Sequence, residues 1–460
     1  MRTWCSAFLI AAAALTQAQP PPMTPPAPAV RDPDIDRIVA EISPQAIEAT
    51  VRTLVGFQTR HTLSDSNDPK QGIGAARNWI QAEFERMSQE SGGRLQVELD
   101  RFTQRPSPPR IPRHTEVVNV VATLPGRQAE SKDRIYVVSA HYDSRATAPN
   151  DADSAAPGAD DDASGVAAML ELARVMSKRD FDATIVFMAV AAEEQGLQGA
   201  RHWAENARDR KRDIAGMITN DIVGSPVAAD GTVSRNVVRL FAEGVPPQKN
   251  LPEADLTQIK TGGENDFPPR QLARAIRGAA ELYVPHMTVR VVYRRDRYLR
   301  GGDHAAFLDA GFPAVRFTEP SENYAHQHQD VRVEDGVQYG DLPEFVDFAY
   351  LADVARVNAA ALATLARAPA SPDNVEVETA RLENDTELSW SANREPDLAG
   401  YRIVWRETTA PFWEQAVDVG VVTKYIVKGL SKDDVVFGVE AVDTAGHASP
   451  AVYPKPYRPR

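Results

Sequence analysis

Four apolar runs in this chain each predict a β-strand, and each is followed closely by acidic or imidazole side chains. The runs are at residues 135–140, 184–190, 214–218 and 313–317. They lead to His141 and Asp143, to Glu193 and Glu194, to Asp221 and, after a short loop, to His326. In an open α/β sheet the carboxyl ends of the strands share one edge, where ligands bind. The pattern predicts a metal site at that edge, and its residue count suggests two ions.

The composition is that of an ordinary globular protein. The chain is 43% hydrophobic and 25% charged. Its 460 residues are enough for two or three domains. The net charge is −13. An acidic chain of this kind argues against nucleic acid as a partner, because nucleic-acid binding needs a basic face.

The N-terminus predicts a secretory signal peptide over residues 1–18. Arg2 precedes the short apolar run 4–15, and the small-residue site 16–18 follows it. The run is too short to span a bilayer, so we expect an exported protein, periplasmic or extracellular, with no transmembrane segment. The alternative is an apolar N-terminal helix that stays attached. Cys5, the single cysteine, lies inside this segment, so the exported chain would have no disulfide.

Beyond the signal peptide, the pattern predicts an α/β fold followed by a small all-β domain. A Pro-rich leader occupies residues 19–34, an α/β domain residues 35–366, a linker residues 367–372, and short alternating strands residues 373–460. One helix face is predicted by Ile73, Ala76, Ile80, Phe84 and Met87. We expect a mostly parallel, mixed central sheet flanked by helices, and a C-terminal β-sandwich.

Two segments combine an imidazole with carboxylates in a way that suits metal binding. Asp143 lies two residues beyond His141, on the same face of a strand, where a carboxylate can orient a metal-bound imidazole. The turn at residues 157–165 carries Asp160, Asp161 and Asp162 just before a helix. A carboxylate there can bridge two cations, although three aspartates could also merely cap the helix.

Glu193 and Glu194 follow a buried strand and point in different directions. One carboxylate can therefore bind metal while the other acts as a general base on water. An isolated pair of this kind is more often a solvated start of a helix, and a lone histidine such as His326 is usually packed or on the surface. The convergence of all these residues is what favours a site.

Together these motifs resemble peptidase family M28, the zinc aminopeptidases. The resemblance covers about residues 40–366, and it is carried by the segments 141–143, 157–165, 192–199 and 220–221, and by Gly302-Asp303-His304 with the later His326. It implies two zinc ions bridged by Asp161. It further implies the following roles: His141 and Asp221 complete one metal site, Glu194 and His326 the other, Glu193 is the general base, and Asp143 orients His141. A cis peptide between Asp161 and Asp162 is also implied.

Other residues are secondary candidates around this site. His328 is a rival to His326, which is preferred because its spacing to Asp330 fits the family. The outer layer or the substrate cleft is predicted to include Asp162, Tyr298, Asp303, His304 and Glu319. Tyr298 is a candidate oxyanion donor. The arginines between residues 294 and 300 could favour substrates with an acidic side chain or a peptide carboxylate, or could simply be solvated.

The C-terminal segment resembles a fibronectin type III domain. The resemblance is carried by residues 388–390, 400–403, 429–430 and 438–443. The segment holds no catalytic cluster. It could bind a surface or polymer, dock on the α/β domain, or act as a spacer.

The resemblance implies a secreted or periplasmic metallo-aminopeptidase acting on peptides with a free N-terminus. Carboxypeptidase or deacylase activity remains open, since the same metal pair serves those reactions. A glutaminyl-cyclase-like enzyme and a non-catalytic binding protein on the same scaffold are further alternatives. All the ligand positions are filled and Glu193 is present, which argues against both of the latter.

Overall fold

The computed structural model describes residues 30–458, so the predicted signal peptide and residues 19–29 of the leader lie outside the described residues. The helices are α1 (Pro33–Ala40), α2 (Pro44–Val55), α3 (Gly72–Glu90), α4 (Ala163–Met176), α5 (Gln198–Asp209), α6 (Glu253–Lys260), α7 (Pro268–Tyr283), α8 (Asp303–Asp309) and α9 (Phe348–Arg367). The strands of the first domain are β1 (Gln96–Gln104), β2 (Thr115–Leu124), β3 (Arg134–His141), β4 (Thr184–Val190), β5 (Asp213–Asn220), β6 (Val237–Ala242), β7 (Thr288–Val292), β8 (Ala314–Thr318), β9 (Arg332–Glu334) and β10 (Val337–Tyr339).

An eight-stranded mixed sheet forms the centre of the first domain. Its strand order is β1-β2-β4-β3-β5-β8-β6-β7. The neighbours β4, β3, β5 and β8 are parallel to one another, whereas β1–β2, β2–β4 and β6–β8 pair antiparallel. The predicted fold class is confirmed. The four strands that precede the predicted site residues are the four parallel ones, so their carboxyl ends meet at one edge.

The central strands are buried on both faces, as expected for a parallel sheet covered by helices. Every residue of β3, β4 and β8 is buried. One face packs against α3, α4, α7 and α9, and the other against α5 and α8. The α3 helix buries Ile73, Ala76, Ile80, Phe84 and Met87, which confirms the predicted helix face.

Helix α9 alone, among the described residues, is long and apolar enough to cross a membrane. Its 18-residue apolar window is 72% buried within the protein, and it contacts α1, α2, α4 and α7. These contacts account for its apolar composition, because a helix packed on several sides has no polar face to present.

The C-terminal strands form two facing sheets. The strands are β11 (Glu376–Glu378), β12 (Thr386–Ser389), β13 (Leu398–Glu407), β14 (Gln415–Gly420), β15 (Lys424–Val427), β16 (Val435–Asp443) and β17 (Lys455–Tyr457). The sheet orders are β15-β12-β11-β17 and β14-β13-β16. Leu388, Trp390, Ile403, Phe437 and Val439 share the core between them. A β-sandwich was expected here, and its likeness to fibronectin type III stays a prediction.

The sandwich docks on the first domain through a buried carboxylate. Asp266, just before α7, accepts from Arg274 Nη1 at 2.9 Å and from Arg406 Nη2 of β13 at 2.6 Å. All three side chains are at most 4% exposed. A buried charge is tolerated when it is paired in this way, and removing one partner would leave the others uncompensated. The two domains are therefore joined by specific contacts.

Glu440 on β16 lies at this junction, and we expect Glu440→Gln to stabilise the protein at alkaline pH. Burial raises the pKa of Glu440 to about 7, against the lowering effect of Arg402 opposite it. A raised carboxyl pKa destabilises the fold progressively as pH rises from about 4.5 to about 7. The variant should gain roughly 1 kcal/mol at pH 8, after allowance for partial exposure, and almost nothing at pH 4.

Urea unfolding of both proteins at pH 4 and pH 8 measures this gain. Glu407→Gln in the same domain is a control, since Glu407 is an exposed glutamate on β13. A gain that is equal at both pH values would mean that the charge of Glu440 is not its origin.

Candidate metal centre

Two groups of three ligand atoms lie at the carboxyl edge of the parallel strands and share one aspartate. The first group is His141, Asp161 and Asp221, and the second is Asp161, Glu194 and His328. Within each group the ligand atoms are all within 4.8 Å of one another. The first group is fully buried, and in the second only His328 is partly exposed. We call these groups the two metal triads.

Asp161 offers a different oxygen to each triad. Its Oδ1 lies 3.1 Å from His141 Nε2, and its Oδ2 lies 2.9 Å from His328 Nε2. The Nε2 atom of His328 is also 2.7 Å from Glu194 Oε1, while that of His141 is 3.9 Å from Asp221 Oδ1. A carboxylate placed in this way can bridge two cations, which is the role that the family resemblance implied for Asp161.

His328, rather than His326, belongs to the second triad, and this corrects the sequence-based choice. His326 stacks on Phe345 with ring centroids 3.6 Å apart, which turns it away from Glu194. His328 adopts a left-handed backbone conformation with φ +53°, and its ring faces the carboxylates. Asp330, whose spacing favoured His326, instead exchanges hydrogen bonds with Thr147.

The carboxylates around His328 favour a positive charge at this position. Burial lowers the pKa of the imidazole, but Glu194 and Asp161 together raise it to about 10. The same two carboxylates would attract a metal cation placed between them.

We expect His328→Ala to lower zinc content strongly and His326→Ala to leave it unchanged. The first change removes a ligand atom from a triad, whereas the second removes only the stacking on Phe345, worth about 0.5–1.5 kcal/mol. Elemental analysis of the dialysed variants measures the zinc content, and thermal unfolding measures the stability. Zinc loss in His326→Ala alone would restore the sequence-based assignment.

Asp143 holds the ends of two strands together behind the first triad. Its backbone carbonyl oxygen lies 3.0 Å from His141 Nδ1, which leaves Nε2 directed at Asp161. Its carboxylate accepts the backbone N–H groups of Glu193 and Glu194, each at 3.2 Å. Asp143 therefore lies behind His141 with its main-chain oxygen and also with its carboxylate, whose Oδ1 is 3.6 Å from His141 Nδ1, and the same carboxylate fixes the two glutamates.

The three consecutive aspartates have three separate tasks. Asp160 accepts the N–H of Gly224 at 2.6 Å, and Asp161 serves both triads. Asp162 is the N-cap of α4, where it accepts from Gly165 N, and its other oxygen accepts from His141 N. The capping alternative is thus correct for Asp162, which lies behind the site as predicted. The peptide between Asp161 and Asp162 is cis.

Glu193 lies at this edge and belongs to neither triad. It lines the same cleft as the triads, a cavity of about 320 Å³. Burial and the nearby carboxylates of Glu194 and Asp221 raise its pKa well above its usual range. Cations bound in front of these groups would lower that pKa again. Its free side chain has the placement that a general base needs.

Three more residues were predicted to lie behind the site or in the substrate cleft, and the structure places them differently from one another. Asp303 is buried near Asp221, and burial together with that carboxylate raises its pKa to about 7. His304 lies behind it and contacts the carbonyl of Arg295 at 2.8 Å. Glu319 accepts from Ser225 N and lines a separate cavity of about 20 Å³ beside Asp161 rather than the main cleft.

Tyr298 does not reach the cleft. Its side chain is 80% exposed and accepts a hydrogen bond from Arg294. The prediction of an oxyanion donor at this position is therefore wrong, because its hydroxyl is held at the outer rim by a neighbouring surface residue.

Arg316 contacts the first triad, and the sequence reasoning missed it. It is fully buried in the middle of β8, and its Nη2 lies 2.8 Å from Asp221 Oδ1. Its Nη1 lies 3.2 Å from Asp296, which anchors the guanidinium. The signal was present in the sequence, since a charged residue in the centre of a buried strand needs a partner.

Comparison with known proteins identifies a family and relatives for this chain. The model for peptidase family M28 matches residues 119–334. A probable zinc metalloprotease of Leptosphaeria maculans is 47% identical over 423 residues, covering 92% of this chain and 97% of that protein. A probable zinc metalloprotease of Pyrenophora teres f. teres is 46% identical over 426 residues, covering 92% of this chain and 87% of the relative. This chain belongs to peptidase family M28.

Among solved structures, an aminopeptidase from Aneurinibacillus shares the fold of this M28 peptidase. The TM-score is 0.51 at 17% identity, and the match covers 72% of this chain and 96% of that one. LapB from Legionella pneumophila matches with a TM-score of 0.50 at 18% identity, over 74% of this chain and 77% of its own.

The donor set fits the metal of this M28 zinc metallopeptidase. Imidazole nitrogens and carboxylate oxygens are both ordinary ligands of zinc, and each triad supplies at least one of each. The ring of His141 is held from behind by the carbonyl of Asp143, as metal-bound imidazoles usually are. The triads thus have the chemistry, the spacing and the support that zinc requires.

Proposed function

We propose that this M28 peptidase is an aminopeptidase that works with two zinc ions. The observation that carries the proposal is the pair of triads that share Asp161, with the free carboxylate of Glu193 in the same cleft. His141, Asp161 and Asp221 would hold one ion. Asp161, Glu194 and His328 would hold the other. Bound there, zinc supplies Lewis-acid catalysis and lowers the pKa of water.

Glu193 is the general base in this proposal. It takes a proton from the water that attacks the scissile carbonyl, and then returns the proton to the leaving amine. The N–H group of Glu193 is fixed on Asp143, so the side chain starts from a defined position at the end of β4. Glu194 is fixed on the other oxygen of the same carboxylate, which separates the ligand from the base.

A cleft that holds zinc in this way accounts for recognition of a free N-terminus. An unprotonated α-amine has a lone pair and is an ordinary zinc ligand. Acetylation removes the available lone pair. The substrate class that follows is peptides with a free N-terminal residue.

Mass spectrometry of two matched peptides tests this function. The zinc-loaded protein is incubated with a free peptide and with its N-acetylated form. We expect stepwise loss of N-terminal residues from the free peptide only. Loss from the other end would identify a carboxypeptidase, release of acetate a deacylase, and no reaction with zinc bound a non-catalytic protein.

Export is the second part of the proposal, and it rests on the N-terminal sequence alone. Cleavage after Ala18 would leave Gln19 as the first residue. N-terminal sequencing of the protein made with its full leader tests this. A mature chain that still starts at Met1 would contradict it.

A further inference from the structure

Arginines from three separate segments line the cleft that holds the metal triads. They are Arg110, Arg145, Arg297 and Arg300. The cleft carboxylates are those of the triads and Glu193, which two zinc ions would neutralise. The charge of the arginines would then remain as the net charge of the cleft.

On one wall, a single carboxylate is shared by three guanidinium groups. Glu322 accepts from Arg297 and Arg300, each at 2.8 Å, and from Arg239 at 3.1 Å. One negative charge cannot balance three positive ones, and within residues 30–458 Arg297 has only Asp296 as a further carboxylate partner. Arg300 is the most exposed of the three, with 32% of its side chain accessible, against 10% for Arg297.

Arg300 is connected to Asp161, the aspartate shared by the two triads, through the side chain of Gln327. Its Nη2 donates to Gln327 Oε1 at 3.1 Å, and Gln327 Nε2 donates to Asp161 Oδ2 at 3.0 Å. Its Nη1 is bound to Glu322, which leaves Nε and the remaining N–H groups for a ligand. The guanidinium is thus held in place beside the triads with donors to spare.

A second arginine approaches the other end of the second triad. Arg145 Nη1 lies 3.8 Å from Glu194 Oε2, and the same guanidinium donates to the carbonyl oxygens of Ala146 and Thr147. Those main-chain bonds hold it rigidly and carry no negative charge. With Glu194 engaged by a cation, Arg145 also lacks a carboxylate partner.

We infer that this cleft selects peptides that carry a carboxylate close to the scissile bond, with Arg300 as the main contact and Arg145 as the second. The inference rests on the proposed function. Guanidinium groups bind carboxylates through paired hydrogen bonds, and they do so best where water is partly excluded. The carboxylate could be the acidic side chain of the N-terminal residue or the free C-terminus of a dipeptide.

Binding to the zinc-loaded Glu193→Gln variant, measured by calorimetry, tests the inference without turnover. The first peptide pair is Leu-Gly and its C-terminal amide. The second is Glu-Gly-amide and Gln-Gly-amide. In one pair the carboxylate member should bind about ten-fold more tightly, since a partly buried charge-assisted pair contributes on that order. The pair that discriminates identifies the source of the carboxylate.

Arg300→Gln in the same background should reduce that preference to less than about two-fold, consistent with loss of the charged pair. Arg294→Gln is the matched control, because Arg294 is exposed and contacts Tyr298 outside the cleft. The inference is overturned if neither pair discriminates, or if the preference survives both Arg300→Gln and Arg145→Gln.

Failure of this inference is distinguishable from failure of the proposed function. A wild-type protein that removes N-terminal residues from neutral peptides but shows no carboxylate preference keeps the function and rejects the inference. If the wild-type protein hydrolyses no peptide but the Glu193→Gln variant still binds carboxylate peptides selectively, the inference stands and the proposed function is rejected.

Discussion

Glu193→Gln is expected to reduce kcat by roughly 10²–10⁴-fold while zinc content stays unchanged. The carboxylate of Glu193 belongs to neither metal triad, so its loss removes no ligand. Glutamine keeps the size of the side chain and the main-chain hydrogen bond to Asp143. What it loses is the ability to accept a proton, which is the step assigned to Glu193.

The measurement is kcat on a short peptide with a free N-terminus, together with zinc content by elemental analysis. Glu205→Gln is the control, since Glu205 is an exposed glutamate on α5, and its activity should equal that of the wild type. Near-normal activity in Glu193→Gln would remove Glu193 from the role of base. A loss of zinc would instead make it a ligand.

The parts of this site that lie at or near strand ends could be predicted from the sequence, and the histidine in the loop after β8 could not. His141 is the last residue of a buried parallel strand, and Glu194 and Asp221 each follow such a strand within a few residues. A strand fixes the direction of the chain, and neighbouring parallel strands end at the same edge, so the sequence pattern already determines where these side chains meet.

The loop after β8 has no such internal constraint. Whether His326 or His328 reaches Glu194 depends on distant contacts, namely the stacking on Phe345 and the hydrogen bonds between Asp330 and Thr147. Local spacing contains none of this information. The resemblance to the family supplied a spacing rule, and here that rule selected the wrong histidine.

Two further features show the same contrast between what the local sequence determines and what only the tertiary fold determines. The buried Arg316 could have been found, because a charge inside an apolar strand must be paired. The docking of the C-terminal sandwich could not, because Asp266, Arg274 and Arg406 are far apart in the chain and only the tertiary fold brings them together. The strands of the sandwich follow from local alternation, while their placement does not.

Asp161→Asn is expected to remove most of the bound zinc and to reduce activity by at least about 10³-fold, because a missing metal ligand disables the catalysis that zinc supplies. One carboxylate serves both triads, with Oδ1 toward His141 and Oδ2 toward His328. An asparagine has one oxygen and no charge, so it cannot serve both. The loss should therefore exceed that of His328→Ala, which weakens only one triad directly.

Asp160→Asn is the matched control for this experiment. The neighbouring carboxyl group is outside both triads, and an asparagine oxygen can still accept the N–H of Gly224. We expect two zinc ions per chain in the wild type and in Asp160→Asn, and far fewer in Asp161→Asn. Two ions retained in Asp161→Asn would place the bridge elsewhere. A wild type with a single zinc ion would contradict the two-ion proposal itself. One oxygen of Asp161 would then bind zinc, and the other would only form a hydrogen bond to His328 or His141.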